Sequence, residues 1–309
     1  MRNTDYDLVV VGAGPAGMTA GMYGARSGLE TLVIEKGICG GLSNEAPEIE
    51  NYPGFKKVKG LELVEKLKEH VSEYVTIKEL EKVERIEHTG KGIQEAVVFT
   101  EKGSYTTKSL LICTGSRHRQ SGAKGEDKFL GRGVSYCATC DGFFFKGKSV
   151  IVVGGGDSAV KEALHLKKIG CDVTVVHRRD KLRAEPYLQQ KLVEAGVTVR
   201  WDSVVNAIKG NYRVRNVVTY NNKTEEEEEI TIDGVFISVG EEPNNELAVQ
   251  IGVALDKNGY IITDKSQRTN IERVYAAGDI TGGVRQVVVA CAEGATAALT
   301  AYNDLQGLI

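Results

Sequence analysis

Gly154-Gly155-Gly156-Asp157-Ser158-Ala159 follows an apolar run ending at Val153 and precedes a stretch with apolar residues at helical spacing that stops at Gly170. The reading is a strand from Ser149 to Val153, a tight turn, a helix to about Ile169 and a second strand from Val173 to Val176. Glycines there let the backbone bend sharply and approach a ligand. The helix start behind them offers free N–H donors and a partial positive charge, a cradle for pyrophosphate. The chain opens with a second copy. A strand from Asp7 to Val11 runs into Gly12-Ala13-Gly14-Pro15-Ala16-Gly17, a helix from about Pro15 to Ser27 ends at Gly28, and a strand follows from Thr31 to Ile34. One such match is weak evidence. Two, each between a strand and a helix, predict an α/β protein with two Rossmann-like dinucleotide-binding domains.

The residue closing the second strand of such a unit meets the adenosine ribose. At matching offsets from Gly12 and Gly154 stand Glu35 and His177, the latter followed by Arg178 and Arg179. A carboxylate accepts hydrogen bonds from free ribose hydroxyls and repels a 2′-phosphate, which suits FAD or NAD. Arginines do the reverse: they pair with a 2′-phosphate through charge-assisted, two-pronged bonds, and Arg183 adds a third cation. A basic surface turn is the plain alternative, but these residues stand where NADP selectivity is decided. The first unit therefore reads as an FAD site and the second as an NADPH site.

Six cysteines are present: Cys39, Cys113, Cys137, Cys140, Cys171 and Cys291. The chain is large and their spacing irregular, so they do not form a disulfide framework. Cys137-Ala138-Thr139-Cys140 is the one close pair. A metal site would want a second ligand pair; no other C-x-x-C and no H-x-x-x-H occurs, and no metal is expected. The pair reads as a redox dithiol. Cys113, Cys171 and Cys291 lie in apolar or small-residue stretches and read as core, while Cys39, beside Gly40-Gly41, is ambiguous. Two nucleotide cradles and one dithiol describe an electron path from a pyridine nucleotide through a flavin to a disulfide.

The 309 residues allow two domains, and 41% hydrophobic with 26% charged residues is a globular composition. A net charge of −3 gives no reason to expect a nucleic-acid partner. The sequence shows no signal-peptide pattern and no apolar run approaching the ~18 residues of a membrane helix. The expectation is a cytoplasmic protein with no membrane partner. Elsewhere the spacing predicts an amphipathic helix from roughly Leu61 to Tyr74, mixed strands leading to Leu110 to Cys113, a helix near Glu185 to Ala195, a strand ending at Trp201 and a strand from Val235 to Val239. A last short strand falls within Val274 to Asp279, and an alanine-rich helix runs from about Val287 to Tyr302. The acidic run Glu225 to Glu229 reads as a solvated hairpin edge.

These motifs in this order resemble the low-molecular-weight thioredoxin reductases over essentially the whole chain. The resemblance rests on Gly12 to Gly17, Glu50-Asn51-Tyr52-Pro53-Gly54, Gly131-Arg132-Gly133-Val134-Ser135 and Cys137 to Phe144. It continues through Gly154 to Ala159, His177-Arg178-Arg179, Ala277-Gly278-Asp279 and Arg285-Gln286. It implies a discontinuous FAD-binding domain, residues 1–116 and 246–309, with an inserted NADPH-binding domain, residues 117–245, that carries the dithiol. It also implies a homodimer that reduces thioredoxin or a thioredoxin-like protein.

Residue roles follow from the resemblance by position. Gly12, Gly14, Pro15, Ala16 and Gly17 cradle the FAD pyrophosphate, and Glu35 holds its ribose, with Lys36 and Val83 also at the FAD site. Gly40, Gly41, Leu42 and Asn51 approach the flavin, as do Thr114 and Gly115. Gly278 and Asp279 belong to the ribityl chain, and Arg285, Gln286 and Val287 to the pyrimidine edge. NADPH falls to Gly154, Gly156, Asp157, Ser158, Ala159 and Gly240, with His177, Arg178, Arg179 and Arg183 at the phosphate. Cys140 faces the flavin, Cys137 attacks the partner disulfide, and Asp141 handles the proton of the leaving thiolate. Cys39 and the Val287 after Gln286 depart from the family pattern without removing a functional group. Phe143 and Phe144, next to the dithiol, read equally as a partner contact or as core.

Two other readings are compatible with the fold and the dithiol. A reductase of the same fold fed by ferredoxin or a deazaflavin tends to lose the second glycine turn and the arginines, both intact here. A flavin-binding redox sensor would differ by its lack of turnover.

Overall fold

The computed structural model describes residues 5–46, 49, 51–88 and 95–308, and the side chain of Cys140 lies outside that description. The chain divides into two compact units, Met1–Arg117 with Glu242–Ile309, and His118–Glu241.

In chain order the first unit begins with β1 (Leu8–Val11), α1 (Pro15–Arg26), β2 (Thr31–Ile34), α2 (Gly60–Ser72) and β3 (Thr76–Lys78). It continues with β4 (Val83–His88), β5 (Ala96–Thr100), β6 (Gly103–Thr107) and β7 (Leu110–Ile112). β8 (Ser116–His118) leads out. The second unit holds α3 (Glu126–Phe129), β9 (Val134–Ser135), α4 (Ala138–Asp141), β10 (Ser149–Gly154), α5 (Asp157–Ile169) and β11 (Asp172–Val176). Then come α6 (Pro186–Glu194), β12 (Thr198–Arg200), β13 (Ser203–Gly210), β14 (Val214–Asn221), β15 (Glu227–Thr231) and β16 (Gly234–Ser238). β17 (Glu241–Pro243) leads back and pairs with β8 as a two-stranded ribbon. The first unit closes with α7 (Glu246–Gln250), β18 (Val274–Ala276) and α8 (Val287–Gln306).

Both units use the same three layers. In the first, the parallel sheet runs β18-β7-β1-β2-β3. Strand residues alternate between its faces. Leu8, Val10, Val33 and Leu111 pack against α1, α2 and α8, while Val9, Val11, Leu32 and Ile112 pack against the antiparallel sheet β4-β5-β6. Burial on both faces explains why these strands read as unbroken apolar runs. In the second unit the parallel sheet runs β12-β11-β10-β16-β9. Val150, Val152 and Val175 face the α5 and α6 side, and Ile151, Val153 and Ile237 face the antiparallel β13-β14-β15.

The predicted elements are present, with ends shifted by one to four residues. α8 reaches Gln306, past Tyr302, and α2 stops at Ser72. The acidic run contributes the outer strand β15, with Glu227, Glu228 and Glu229 exposed. The return to the first unit falls at Glu242, so Glu242–Asn245 go with that unit and not with the insertion. The reason is local: Asn244 donates to the Thr114 carbonyl at 2.9 Å and to the Gly115 carbonyl at 3.0 Å, and its own carbonyl accepts from the Thr114 hydroxyl at 2.7 Å.

Candidate functional site

The first glycine turn sits between β1 and α1. Gly12 has φ +104°, and a Cβ there would strike the Cys113 carbonyl. A Cβ on Gly17 would strike the Gly12 carbonyl, so the helix start lies directly on the turn. Gly14 is the N-cap of α1, no side chain caps it, and a Cβ there would meet open space. Pro15 takes the first helical position, where its missing N–H costs nothing. The helix start thus keeps free donors beside open space, which fits a pyrophosphate. Buried Ala16 lies against Gly294 of α8.

Glu35 stands at the end of β2 and reaches back to this turn. Its carboxylate accepts from the Ala13 N–H at 2.8 Å and the Gly37 N–H at 2.9 Å. Lys36 is exposed. Val83 is buried in the core under the sheet, so only its backbone is available to a ligand.

The flavin-side residues gather from distant parts of the chain. The Gly40 N–H donates to the Ala13 carbonyl at 2.8 Å, which ties Gly40-Gly41 and half-buried Leu42 to the glycine turn. Asn51 donates to the Gln286 side chain at 2.7 Å across 235 positions of sequence. Glu50, which precedes it, lies outside the described residues. Thr114 and Gly115 are held by Asn244. Gly278 packs on Ala16 through a φ of +82°, and Asp279 starts a short 3-10 turn. Exposed Arg285 and Gln286 precede half-buried Val287, the first residue of α8, whose N-terminus has no side-chain cap.

Two residues at this site were not singled out from sequence. Asn244 is one. Glu293 on α8 is the other: it accepts from the Gly278 N–H at 2.7 Å and the Thr281 hydroxyl at 3.4 Å, and burial raises its pKa. Its one signal in the sequence is that it is the single acid between Val287 and Tyr302. Cys39 is buried. Its thiol is pushed up to about 12 by burial and then by Glu79, which accepts from the Cys39 N–H and pairs with Lys68 at 2.6 Å. Cys39 is therefore a protonated core thiol at neutral pH.

The second glycine turn repeats the first. Gly156 caps α5 without a side-chain cap and faces open space, so these residues too fit a pyrophosphate. Gly154 has φ +159°, and a Cβ there would strike the Ser238 carbonyl. Asp157 accepts from the Glu185 N–H at 2.8 Å, Ser158 is exposed at the helix start, and Ala159 is fully buried under Gly154. Arg178, Arg179 and Arg183 are exposed, and none has a carboxylate partner among the described residues. Their loop is fastened to the turn: the Arg183 and Ala184 N–H groups both donate to the Gly155 carbonyl, at 2.7 and 3.2 Å. Gly240 is exposed, and its carbonyl accepts from Arg119.

His177 departs from the expected placement beside the phosphate. It is buried at 6% exposure, with one ring nitrogen 3.0 Å from the Gly154 carbonyl and the other 3.0 Å from the Lys181 carbonyl. The end of a strand buried on both faces leaves its ring no room outward, so it braces the turn from beneath.

The dithiol lies in the same unit. Cys137 is half-buried and disulfide-bonded; Cys39, Cys113, Cys171 and Cys291 are free. The Cys137 N–H donates to the hydroxyl of buried Ser135 at 3.0 Å, and its carbonyl accepts from the Asp141 N–H at 3.1 Å. Cys140 follows in the single turn of α4, with half-buried Asp141. Tyr136 stacks on His118 at 4.9 Å and donates to Glu126 at 2.6 Å. Phe143 and Phe144 are 74% and 69% exposed, which removes the core reading for both rings. Nearby on α5, Glu162 is pushed up to about 7 by burial, and its Oε2 has no hydrogen-bond partner among the described residues. Among those residues no cluster suits a metal ion and no helix is long and apolar enough to cross a membrane.

Two dinucleotide cradles, one closed by a carboxylate and one by arginines, together with a disulfide in the second unit, define a flavin- and nucleotide-dependent disulfide oxidoreductase. The chain belongs to the pyridine nucleotide-disulphide oxidoreductase family, whose model matches residues 6–294. It is 40% identical to the thioredoxin reductase of Listeria innocua over 98% of this chain and 95% of that protein. Among solved structures, it is similar to Lactococcus lactis thioredoxin reductase at 44% identity, covering 98% of this chain and 100% of that one, with a TM-score of 0.78. The thioredoxin reductase of Streptococcus pyogenes MGAS5005 matches at 42% identity, 98% coverage of both chains and a TM-score of 0.78.

Proposed function

We propose that this protein is an NADPH-dependent thioredoxin-disulfide reductase. The observation that carries the reading is the joint presence, in one unit, of the Cys137 disulfide and a phosphate cradle flanked by three arginines without carboxylate partners. FAD and NADPH are its cofactors; bound in the two cradles, they would supply the two electrons that reduce the disulfide. Gly12, Gly14 and the start of α1 bind the FAD pyrophosphate, Glu35 the ribose, and Asn51 with Gln286 the flavin side. Gly154, Gly156 and the start of α5 bind the NADPH pyrophosphate, and Arg178, Arg179 and Arg183 the 2′-phosphate.

After reduction, the Cys137 thiolate attacks one sulfur of the partner disulfide. That S–S bond breaks, a mixed disulfide forms, and the released partner thiolate takes a proton from Asp141. Cys140 then attacks Cys137, which restores the internal disulfide and frees the second partner thiolate to take a proton from solvent. The balance is one NADPH and one proton consumed per disulfide reduced. The protein works in the cytoplasm as a homodimer. Phe143 and Phe144 give the thioredoxin-like partner an apolar contact beside the dithiol, so Phe143→Ala with Phe144→Ala raises KM for thioredoxin several-fold at unchanged kcat. An unchanged KM removes that contact.

The test is anaerobic titration of the purified protein with NADPH and, separately, NADH, followed by thioredoxin. NADPH bleaches the flavin at far lower concentration than NADH, and thioredoxin restores the colour. Equal bleaching by both nucleotides, or no response to thioredoxin, overturns the proposal.

A further inference from the structure

The ring of His177 sits between two carbonyl oxygens, Gly154 O on the cradle and Lys181 O on the arginine loop, each 3.0 Å from a ring nitrogen. A neutral imidazole has one N–H and one bare nitrogen, so it donates to one carbonyl and turns a lone pair toward the other. Only the imidazolium donates to both. The ring cannot turn away: it is buried, a Cβ on Gly155 would collide with it, and the backbone of His177 is held on both sides by Arg200 and Ser203.

We propose that His177 is a proton-coupled positioning residue: it takes up a proton when the nucleotide 2′-phosphate binds, and the second hydrogen bond then locks the arginine loop onto the glycine turn. This rests on the NADPH reading above. Burial, followed by Arg179 and Arg183, disfavours the charged ring in the free protein. A phosphate dianion that neutralises those arginines removes the repulsion and favours the imidazolium. The other charges around the ring are mutually engaged. Lys223 pairs with Asp180 and Asp202, Arg200 pairs with Glu228, and Asp157 of α5 accepts from Glu185. Arg178 and Lys181 lie on the same loop and are exposed. The pyrophosphate arrives with NADP+ and NAD+ alike, so the 2′-phosphate is the negative charge that only NADP+ brings to these arginines.

The protein carries its own reporter. Trp201 is the single tryptophan, and its ring meets His177 edge-on at 6.4 Å. A charged imidazole quenches indole emission more than a neutral one. The experiment is a pH titration of Trp201 fluorescence in the FAD-loaded protein, alone, with saturating NADP+ and with saturating NAD+. The expected result is a quenching midpoint that rises by about half a pH unit or more with NADP+ and less with NAD+. A bound-state pKa above the free one means that affinity is strongest below the free pKa and is lost as pH rises through the bound pKa. NADP+ affinity therefore falls by about threefold across that window, and the fall is absent in His177→Gln. The 2′-phosphate's own titration acts oppositely, weakening binding at low pH, and remains in the variant. A midpoint that does not move with NADP+, or that moves equally with NAD+, overturns the proposal, and this wild-type titration decides even if His177→Gln fails to fold. Failure to bind NADP+ at any pH would instead break the function proposed above, and the two failures are distinct.

Discussion

The two glycine turns share one backbone solution and differ in what closes it. In both, a four-to-six-residue buried strand runs into an uncapped helix, and the next strand returns a side chain to the turn. In the first unit that side chain is Glu35, an acceptor held by backbone N–H groups of Ala13 and Gly37. In the second it is His177, whose ring nitrogens face backbone carbonyls of Gly154 and Lys181. In the reading proposed above, the first closure sets a carboxylate at the ribose position. The second spends its strand-end residue on bracing and leaves the cations one and two residues later to meet solvent. The proposed assignment thus places nucleotide identity outside the glycine motif, in the few residues after the second strand.

The most disruptive way to test this contrast is Arg178→Ala with Arg179→Ala. Each charge-assisted contact contributes about 1.5–3 kcal/mol, so the pair should raise KM for NADPH by on the order of 10²–10⁴-fold. NADH kinetics and FAD content should stay as they were; an equal loss for both nucleotides would mean that the arginines do not read the phosphate. The counterpart, Glu35→Ala, strands the Ala13 and Gly37 N–H groups and should weaken FAD retention by about 2–4 kcal/mol. Flavin loss on dialysis measures it, and unchanged NADPH recognition by the second unit keeps the units separate.

A smaller contrast concerns the buried acids beside each site. Glu293 has partners for its carboxylate; Glu162 has a buried oxygen with none among the described residues. Glu162 titrates near 7 in the folded protein against 4.5 for the free side chain. Its contribution to stability is therefore full below about 4.5 and is lost as pH rises through about 7. Glu162→Gln should raise stability at pH 8 by about 2 kcal/mol and change little at pH 5, whereas Glu293→Ala should cost about 1–3 kcal/mol. Denaturation midpoints at the two pH values decide both; a pH-independent effect of Glu162→Gln would place its cause elsewhere. The smallest effect expected is none at all. Cys39 and Cys113, both buried with raised pKa values, should resist alkylation at pH 8 in the native oxidised protein, as mass mapping would show.

Periodicity and punctuation made most of the layout legible. Gly28 and Gly170 end their helices with positive φ, and the strands stand where the apolar runs stand. The offset from each glycine turn located Glu35 and the arginines. What escaped was direction. Nothing in the string says that His177 points under the turn while Arg178 points out, because that depends on how the glycine turn and the Lys181 carbonyl close around the end of β11. Asn244 and Glu293 escaped for a related reason: each serves the site through backbone groups of residues far away in sequence, and such bonds leave no local pattern. Cys39 was ambiguous until Glu79 and Lys68 were placed beside it. The exposure of Phe143 and Phe144 likewise follows from the packing of Phe145 on Phe236, which anchors the segment by its third ring.

The two-stranded ribbon of β8 and β17 has a consequence for how the protein is made. The second unit is one continuous stretch, complete when Glu241 has been synthesised. The first is not: β18 forms the sheet's edge beside β7, and α8 packs on α1 from the far end of the chain. On the ribosome, the inserted unit can therefore fold while the earlier one still lacks a strand and its longest helix. Until α8 emerges, α1 keeps bare the face that Gly294 will cover at Ala16, and the first glycine turn waits unbraced. The half that begins first is finished last, and the nascent chain exposes that apolar surface for the whole interval.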